Sequence, residues 1–332
     1  MSYRDLSFPS VGARPNFNKF LLALNVIQNK KKHYLCQLKN KKRSSKNNKM
    51  QPNSFDITDF IKSALYEDIR EGDHTSLACI PQDLNGRARL LVKEPCVLAG
   101  VELAEMIFKV IDPQSVIEVI KKDGDWANVG DVAFYINSKS ALILQAERLV
   151  LNAMQRMSGI ATMTQQYMKA VEGTGVKLLD TRKTTPLFRY FEKWAVRIGG
   201  GTNYRDGLYD RIMIKDNHAD FCGGHKMALE RVHLYLKEHN LNLEITVECR
   251  NQTELTELLA CGGFQRIMLD NHTPENLKKA VELIAGRYET EASGGINLNT
   301  IRTYAETGVD FISVGALTHG AKSIDLSLKS VK

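Results

Sequence analysis

The chain has 332 residues, 43% of them hydrophobic and 25% charged, values of an ordinary globular protein of one large or two average domains. The formal charge of +7 comes from residues 1–50, which hold 12 of the 45 Lys and Arg and one of the 38 Asp and Glu; residues 51–332 carry 33 basic against 37 acidic side chains, which excludes a basic nucleic-acid face on the folded part. No run of about 18 apolar residues exists to span a membrane, and the six cysteines lack zinc or redox spacing, so free thiols in a reducing cytoplasm are expected.

Residues 1–50, rich in Lys, Asn and Ser beyond Asn29, have little to bury and read as a disordered basic tail. An untranslated extension ahead of Met50 and an organelle-targeting segment are the alternatives. Residues 51–150 predict a small α+β domain. Ile57, Phe60, Ile61, Ala64 and Leu65 recur at helical spacing behind the candidate caps Asp56 and Thr58. A polar turn is expected over 67–76, then strands at 87–92 and 96–99 and a helix over 103–111. Strands at 116–120 and 132–136 follow, around turns at Gly124 and Gly130. A long helix over about 140–157 leads away, and residues 320–332 are expected to return to this domain.

Residues 151–319 have another rhythm. Short β-branched runs at 176–181, 211–215, 243–248, 266–270, 288–293 and 310–315 each end in a polar or small residue, and a helical stretch follows most of them. The last four ends, Glu248, Asp270, Ser293 and Gly315, are 22, 23 and 22 residues apart, one strand, one helix and two loops each. Parallel strands need such crossovers, and a repeated βα unit closes into a barrel. The fold class is α/β: a small α+β domain plus an open α/β barrel.

Chemistry gathers at the carboxyl ends of these strands, where barrels carry their sites. Thr181, Arg182 and Lys183 come first, then Tyr204 and Arg205 behind the loop Gly199-Gly200-Gly201. Lys215, Glu248, Asp270, Ser293-Gly294-Gly295 and Gly315 complete the ring. The set is cationic, holds two carboxylates and lacks a nucleophile–base pair. Arg forks bind carboxylates and phosphates, two neighbouring acids hold Mg²⁺ directly or through its waters, and glycine turns after the last strands expose N–H groups to a phosphate. A polyanionic substrate follows. Taken singly, each element has a plain structural reading: Gly199–Gly201 as a flexible loop, Ser293-Gly294-Gly295 as a turn, and His218, His225 and His319 as structural or surface residues. Cys249 has no evident base and is not read as a nucleophile.

The words Asp180-Thr181-Arg182-Lys183-Thr184-Thr185-Pro186, Glu192-Lys193-Trp194, Gly199-Gly200-Gly201-Thr202-Asn203, Ile214-Lys215-Asp216-Asn217-His218, Leu269-Asp270-Asn271 and Glu291-Ala292-Ser293-Gly294-Gly295 resemble the barrel motifs of the quinolinate phosphoribosyltransferase family. Glu147-Arg148 and Gly72-Asp73-His74-Thr75-Ser76 extend the resemblance into the first half, over roughly residues 55–332. It implies a type II phosphoribosyltransferase that forms nicotinate mononucleotide, CO₂ and pyrophosphate, with Mg²⁺ as cofactor. It also implies a homodimer with a shared site; association beyond the dimer stays open. Arg182 and Arg205 would hold the quinolinate carboxylates, with Arg148 reaching in from the neighbouring subunit. Thr181 and Lys183 would flank the substrates, and Lys215 would contact phosphoribosyl pyrophosphate. Glu248 and Asp270 would position the ribose and Mg²⁺, and Ser293, Gly294, Gly295 and Gly315 would take the 5′-phosphate. Lys183, Lys215, Glu248 and Asp270 are thus the expected catalytic set. Two positions depart from the family pattern: Tyr204 stands where His is usual, and Leu187 where Gly is common, for which a changed loop is expected. The alternatives are a related phosphoribosyltransferase acting on another acidic ring and a non-catalytic binding protein on the same scaffold.

Overall fold

In the computed structural model residues 55–331 are described; the tail expected at 1–50 lies outside them. Helix α1 (Ile57–Ile69) starts at Asp56, whose carboxylate accepts the Asp59 N–H at 3.0 Å, a cap of the kind that contributes about 1 kcal/mol. A second helix, α2 (His74–Cys79), stands at the end of the expected polar turn. Asp73 caps it by accepting the Ser76 N–H at 3.0 Å, and six residues are too few to display a helical period.

Strands β1 (Asn85–Val92) and β2 (Cys96–Val97) precede α3 (Val101–Ile111), and β3 (Val116–Val119), β4 (Trp126–Ala127) and β5 (Val132–Lys139) follow it. β1, β5 and β3 pair antiparallel, and the C-terminal β12 (Leu326–Val331) adds to the free edge of β1. Alternate residues Ala88, Leu90 and Val92 of β1 are buried, as period 2 requires, and Phe108 of α3 meets Phe134 of β5 edge to face at 6.3 Å. The unexpected β4 pairs with β2; two residues carry no pattern of their own.

Helix α4 (Ser140–Ala170) has 31 residues and runs through the boundary expected near 150. Its second half hid from a hydrophobic period because it is built for close approach. Ser158, Gly159, Ala161 and Thr164 are buried there. A Cβ on Gly159 would stand 1.9 Å from the Lys322 carbonyl oxygen. The Ser158 and Thr162 hydroxyls accept the N–H groups of Ala99 and Val97 at 3.0 and 2.9 Å.

The second half runs β6 (Lys177–Leu179), α5 (Arg189–Ile198), β7 (Ile212–Ile214), α6 (Asp216–Cys222), α7 (His225–Glu238), β8 (Ile245–Cys249), α8 (Gln252–Cys261), β9 (Arg266–Asp270), α9 (Pro274–Ile284), β10 (Glu289–Ser293), α10 (Ile301–Ala305), β11 (Phe311–Ser313) and α11 (Ala316–His319). Its six strands pair in parallel in the order β6-β11-β10-β9-β8-β7. That is the cyclic order of an α/β barrel with its seam open between β6 and β7, which are successive in the chain. Ile245, Val247, Ile267, Leu269, Ala292 and Ile312 are buried on these strands. Their alternating neighbours Met268, Asp270, Glu291 and Ser293 turn to the inside. Several strands are shorter than expected because their polar ends, Thr181 and Lys215 among them, have already left the ladder.

Candidate active site

A cavity of about 770 Å³ opens at the carboxyl ends of the parallel strands. Thr181, Arg182 and Lys183 line it after β6, Tyr204 and Arg205 before β7, and Lys215 after β7. Asp270, Ser293, Gly294, Gly295 and Gly315 line it after β9, β10 and β11. Glu248 does not belong to the lining. It is 5% exposed, and its Oε2 lies 2.7 Å from Lys215 Nζ, so it reaches the cavity through that ammonium. Arg148 is exposed on α4 and is absent from the lining of its own chain's cavity.

Buried charges wire the loops that carry these residues. Asp180 accepts from Lys193 Nζ, from Asn203 Nδ2 and, at 2.9 Å, from the Tyr204 N–H. Burial pushes the Asp180 carboxyl up, and the Lys193 ammonium offsets part of that rise. Glu192 is fully buried; it accepts from Arg156 Nε at 3.0 Å and from the Thr185 N–H and hydroxyl at 3.1 and 2.8 Å. Arg156 in turn donates to the Ala321 carbonyl at 2.6 Å. Together these bonds tie the loop of Arg182 and the loop of Arg205 to α4, α5 and the C-terminal segment. The partners lie 7 to 165 residues apart, and no periodicity links them.

Arg182 and Arg205 are poised for an anion. Neither guanidinium has an ion pair among the described residues, and Arg182 Nε is buried without a partner. Arg205 is 8% exposed; burial lowers its pKa, and the positive charge of Arg182 lowers it further. Two close cations, one buried and one half-buried, are costly until an anion joins them.

Across the cavity, Gly294 and Gly295 have φ of +99° and +63°. A Cβ on Gly294 would stand 2.2 Å from Asn271 Oδ1 and 2.8 Å from Asn271 N, and the Asn271 N–H donates to the Ser293 carbonyl at 2.8 Å. The loops after β9 and β10 therefore interlock only around glycine. The other glycine run serves packing. A Cβ on Gly199 would meet the Ala161 carbonyl at 2.5 Å, and one on Gly201 would meet Val196 Cγ1 at 2.8 Å, so this loop is pressed between α4 and α5. Leu187 has φ +62° and is 86% exposed: the chain turns left-handed there, a conformation that suits glycine.

Some lining residues escaped the sequence reading. Met213, Met268, Glu291, Ser313 and His319 all face the cavity, although His319 was expected to be structural or at the surface. Glu291 is fully buried; it accepts from Arg266 Nη1 at 3.1 Å and from the Ser313 hydroxyl, and burial raises its pKa. Its position two residues before Ser293 on one strand, hence on the same face, is the signal that would have found it. His225 is buried, with Nε2 3.1 Å from the Glu248 carbonyl, and His218 Nδ1 accepts the Lys215 N–H at 3.0 Å. Burial pushes the Cys249 thiol up to about 12, which makes it no nucleophile near neutral pH.

The family model for the quinolinate phosphoribosyl transferase C-terminal domain matches residues 160–329, and that for the N-terminal domain matches residues 73–158. The chain belongs to the quinolinate phosphoribosyl transferase family. It is 46% identical over 291 residues to a nicotinate-nucleotide pyrophosphorylase (carboxylating), chloroplastic, of Arabidopsis thaliana, with 83% of each chain covered. It is 44% identical over 291 residues to quinolinate phosphoribosyltransferase (decarboxylating) 2b, mitochondrial, of Nicotiana tabacum, covering 83% of this chain and 82% of that one. Among solved structures, the crystal structure of NadC from Streptococcus pyogenes superposes with a TM-score of 0.78 at 37% identity, covering 86% of this chain and all of that one. The two family matches meet within α4, the helix that joins the antiparallel sheet to the barrel.

Proposed function

We propose that this chain transfers the phosphoribosyl group of phosphoribosyl pyrophosphate to quinolinate and decarboxylates the product, giving nicotinate mononucleotide, CO₂ and pyrophosphate. The observation that carries this reading is the unpaired cation pair Arg182 and Arg205 in one cavity with the glycine turn Gly294-Gly295. A dicarboxylate satisfies the first; a phosphate suits the N–H groups of the second.

The ring nitrogen bonds to the anomeric carbon as the carbon–oxygen bond to pyrophosphate breaks. The cationic ring then releases its 2-carboxylate as CO₂, and the electron pair left on the ring carbon takes a proton from water. No covalent intermediate on the protein is needed, so catalysis rests on positioning and charge. Arg182 and Arg205 orient the acid. Lys183 and Lys215 face the departing negative charge, and Asp270 stands where the ribose becomes positive, with Glu248 acting on Lys215.

The donor set fits Mg²⁺. No group of three or more His, Cys, Asp and Glu forms a cage among the described residues. Asp270 in the cavity suits an ion that keeps its waters and binds mainly through substrate phosphates, whereas Glu248, expected beside it, is paired with Lys215 outside the lining. Bound there, Mg²⁺ would neutralise charge on pyrophosphate. Arg148, exposed on α4, is assigned to the pocket of a second copy in a homodimer. Among the described residues no helix is long and apolar enough to cross a membrane, and the five described cysteines are free thiols. Free thiols suit a reducing compartment, of which the cytoplasm is the one proposed here.

The test is an assay of the full chain for quinolinate loss and CO₂ release with phosphoribosyl pyrophosphate and Mg²⁺, each omitted in turn. Turnover is expected only with all three present. Turnover of another acidic ring with none of quinolinate overturns the reading, and turnover unchanged after chelation of the metal overturns the role of Mg²⁺.

A further inference from the structure

The floor of the cavity is aromatic where a polar side chain stands nominally ready to bind. Tyr204 lines the cavity, and its hydroxyl is bonded to a residue outside that lining. Its Oη lies 2.6 Å from Thr246 Oγ1, and Thr246 is fully buried and outside the lining. Met213, Thr246 and Arg266 are neighbours across β7, β8 and β9, so the hydroxyl is bonded to the middle strand of this row.

Two guanidiniums hold the ring. Arg211 Cζ lies 5.2 Å and Arg266 Cζ 5.1 Å from its centroid, within the reach of cation–π attraction. Each cation is itself anchored. Arg211 pairs with Glu244, and Arg266 donates to Glu289 at 2.8 Å and to Glu291 at 3.1 Å. The Tyr204 N–H is fixed on Asp180 at 2.9 Å. Burial pushes the Tyr204 pKa up to about 12, which keeps the phenol neutral. Beside it, Met213 and Met268 present polarisable side chains to the same cavity.

We propose that Tyr204 determines specificity by presenting a clamped aromatic ring, not a hydrogen bond, so that the pocket selects a planar ring acid by contact and leaves recognition of its carboxylates to Arg182 and Arg205. This rests on the quinolinate reading above and adds to it which part of the ligand each side chain senses.

The experiment compares the full-length chain with its Tyr204→Ala, Tyr204→Leu and Tyr204→Phe variants. Wild-type turnover of quinolinate is measured first; its absence defeats the functional reading itself, whereas the outcomes below bear on Tyr204 alone. Tyr204→Ala and Tyr204→Leu are expected to raise KM for quinolinate about tenfold or more, with KM for phosphoribosyl pyrophosphate little changed, and Tyr204→Phe is expected to recover most of that loss. Contact with an aromatic ring is of the size that gives such a factor. Calorimetry with phthalate and maleate separates ring from charge, since both carry two adjacent carboxylates and only phthalate has an aromatic ring. Wild type and Tyr204→Phe should bind phthalate about tenfold tighter than maleate, and Tyr204→Ala should lose most of that preference. A Tyr204→Phe KM as high as that of Tyr204→Ala, or a preference for phthalate that persists in Tyr204→Ala, overturns the proposal. Should Ala and Leu fail to fold, Tyr204→Met takes their place as the ringless variant: loss of the preference for phthalate there supports the ring, and its persistence overturns the proposal.

Discussion

Lys215 and Glu248 are two strand-end charges whose meaning depends on each other. Their side chains are 45% and 6% exposed and 2.7 Å apart, so the acid is out of water and the ammonium faces the cavity. An exposed ion pair of this kind would do little. Here the buried carboxylate fixes the Nζ that is assigned to phosphoribosyl pyrophosphate. Glu248→Gln keeps the shape and removes the charge. Charge-assisted hydrogen bonds are worth about 1.5–3 kcal/mol, so kcat/KM should fall roughly 10- to 150-fold at a temperature where the variant stays folded. Steady-state kinetics beside a thermal melt checks this, and activity within about twofold of wild type removes Glu248 from the mechanism.

At the scale of elements, the site depends on loops that interlock after β9 and β10. Asn271 itself has φ +55°, and it fills the space beside Gly294 where a Cβ would otherwise go. Gly294→Ala adds one methyl group to a turn with φ +99° and a 2.2 Å clash, and it must displace Asn271 and the N–H groups proposed above to take the phosphate. The expected outcome is a KM for phosphoribosyl pyrophosphate raised at least about tenfold, with far-ultraviolet circular dichroism unchanged, because the strain is local and of order 1–3 kcal/mol. An unaltered KM in this variant would mean that the phosphate binds elsewhere. The motif words around this turn were legible because glycine at left-handed positions has a local cause. Helix α2 and strand β4 were not, since neither is long enough to show a period.

For the molecule as a whole, the six-stranded sheet is unpaired between β6 and β7, and Arg148 is exposed on α4, outside the lining of its own chain's cavity. Arg148→Ala and Arg182→Ala should each abolish most activity. If Arg148 serves the neighbouring pocket, a mixed dimer of the two variants carries both defects in one site and neither in the other. After subunit exchange at equal amounts, about a quarter of the sites should be intact. Recovery of activity on mixing, with exchange followed by differently tagged subunits, checks this. Demonstrated exchange with no recovery places Arg148 outside the partner's site.

The amino-acid sequence by itself determined what local rules govern. The βα rhythm of residues 176–315, the glycine turns and the clustering of Arg, Lys and acid at strand ends were all readable, because period, backbone conformation and side-chain charge are local properties. Arg182, Lys183, Arg205, Lys215, Asp270 and Ser293 were expected in one cavity for that reason, and they line it. Only the tertiary structure decided which of these groups are neutralised and which are free. Glu248 withdrew behind Lys215, Lys193 was paired with Asp180, the hydroxyl of Tyr204 was bonded to Thr246, and Glu291 entered the cavity wall beside Arg266. Arg182 and Arg205 were left without partners. Burial and pairing between residues tens of positions apart set the free energy of each charge, and a sequence states the charges without stating those distances.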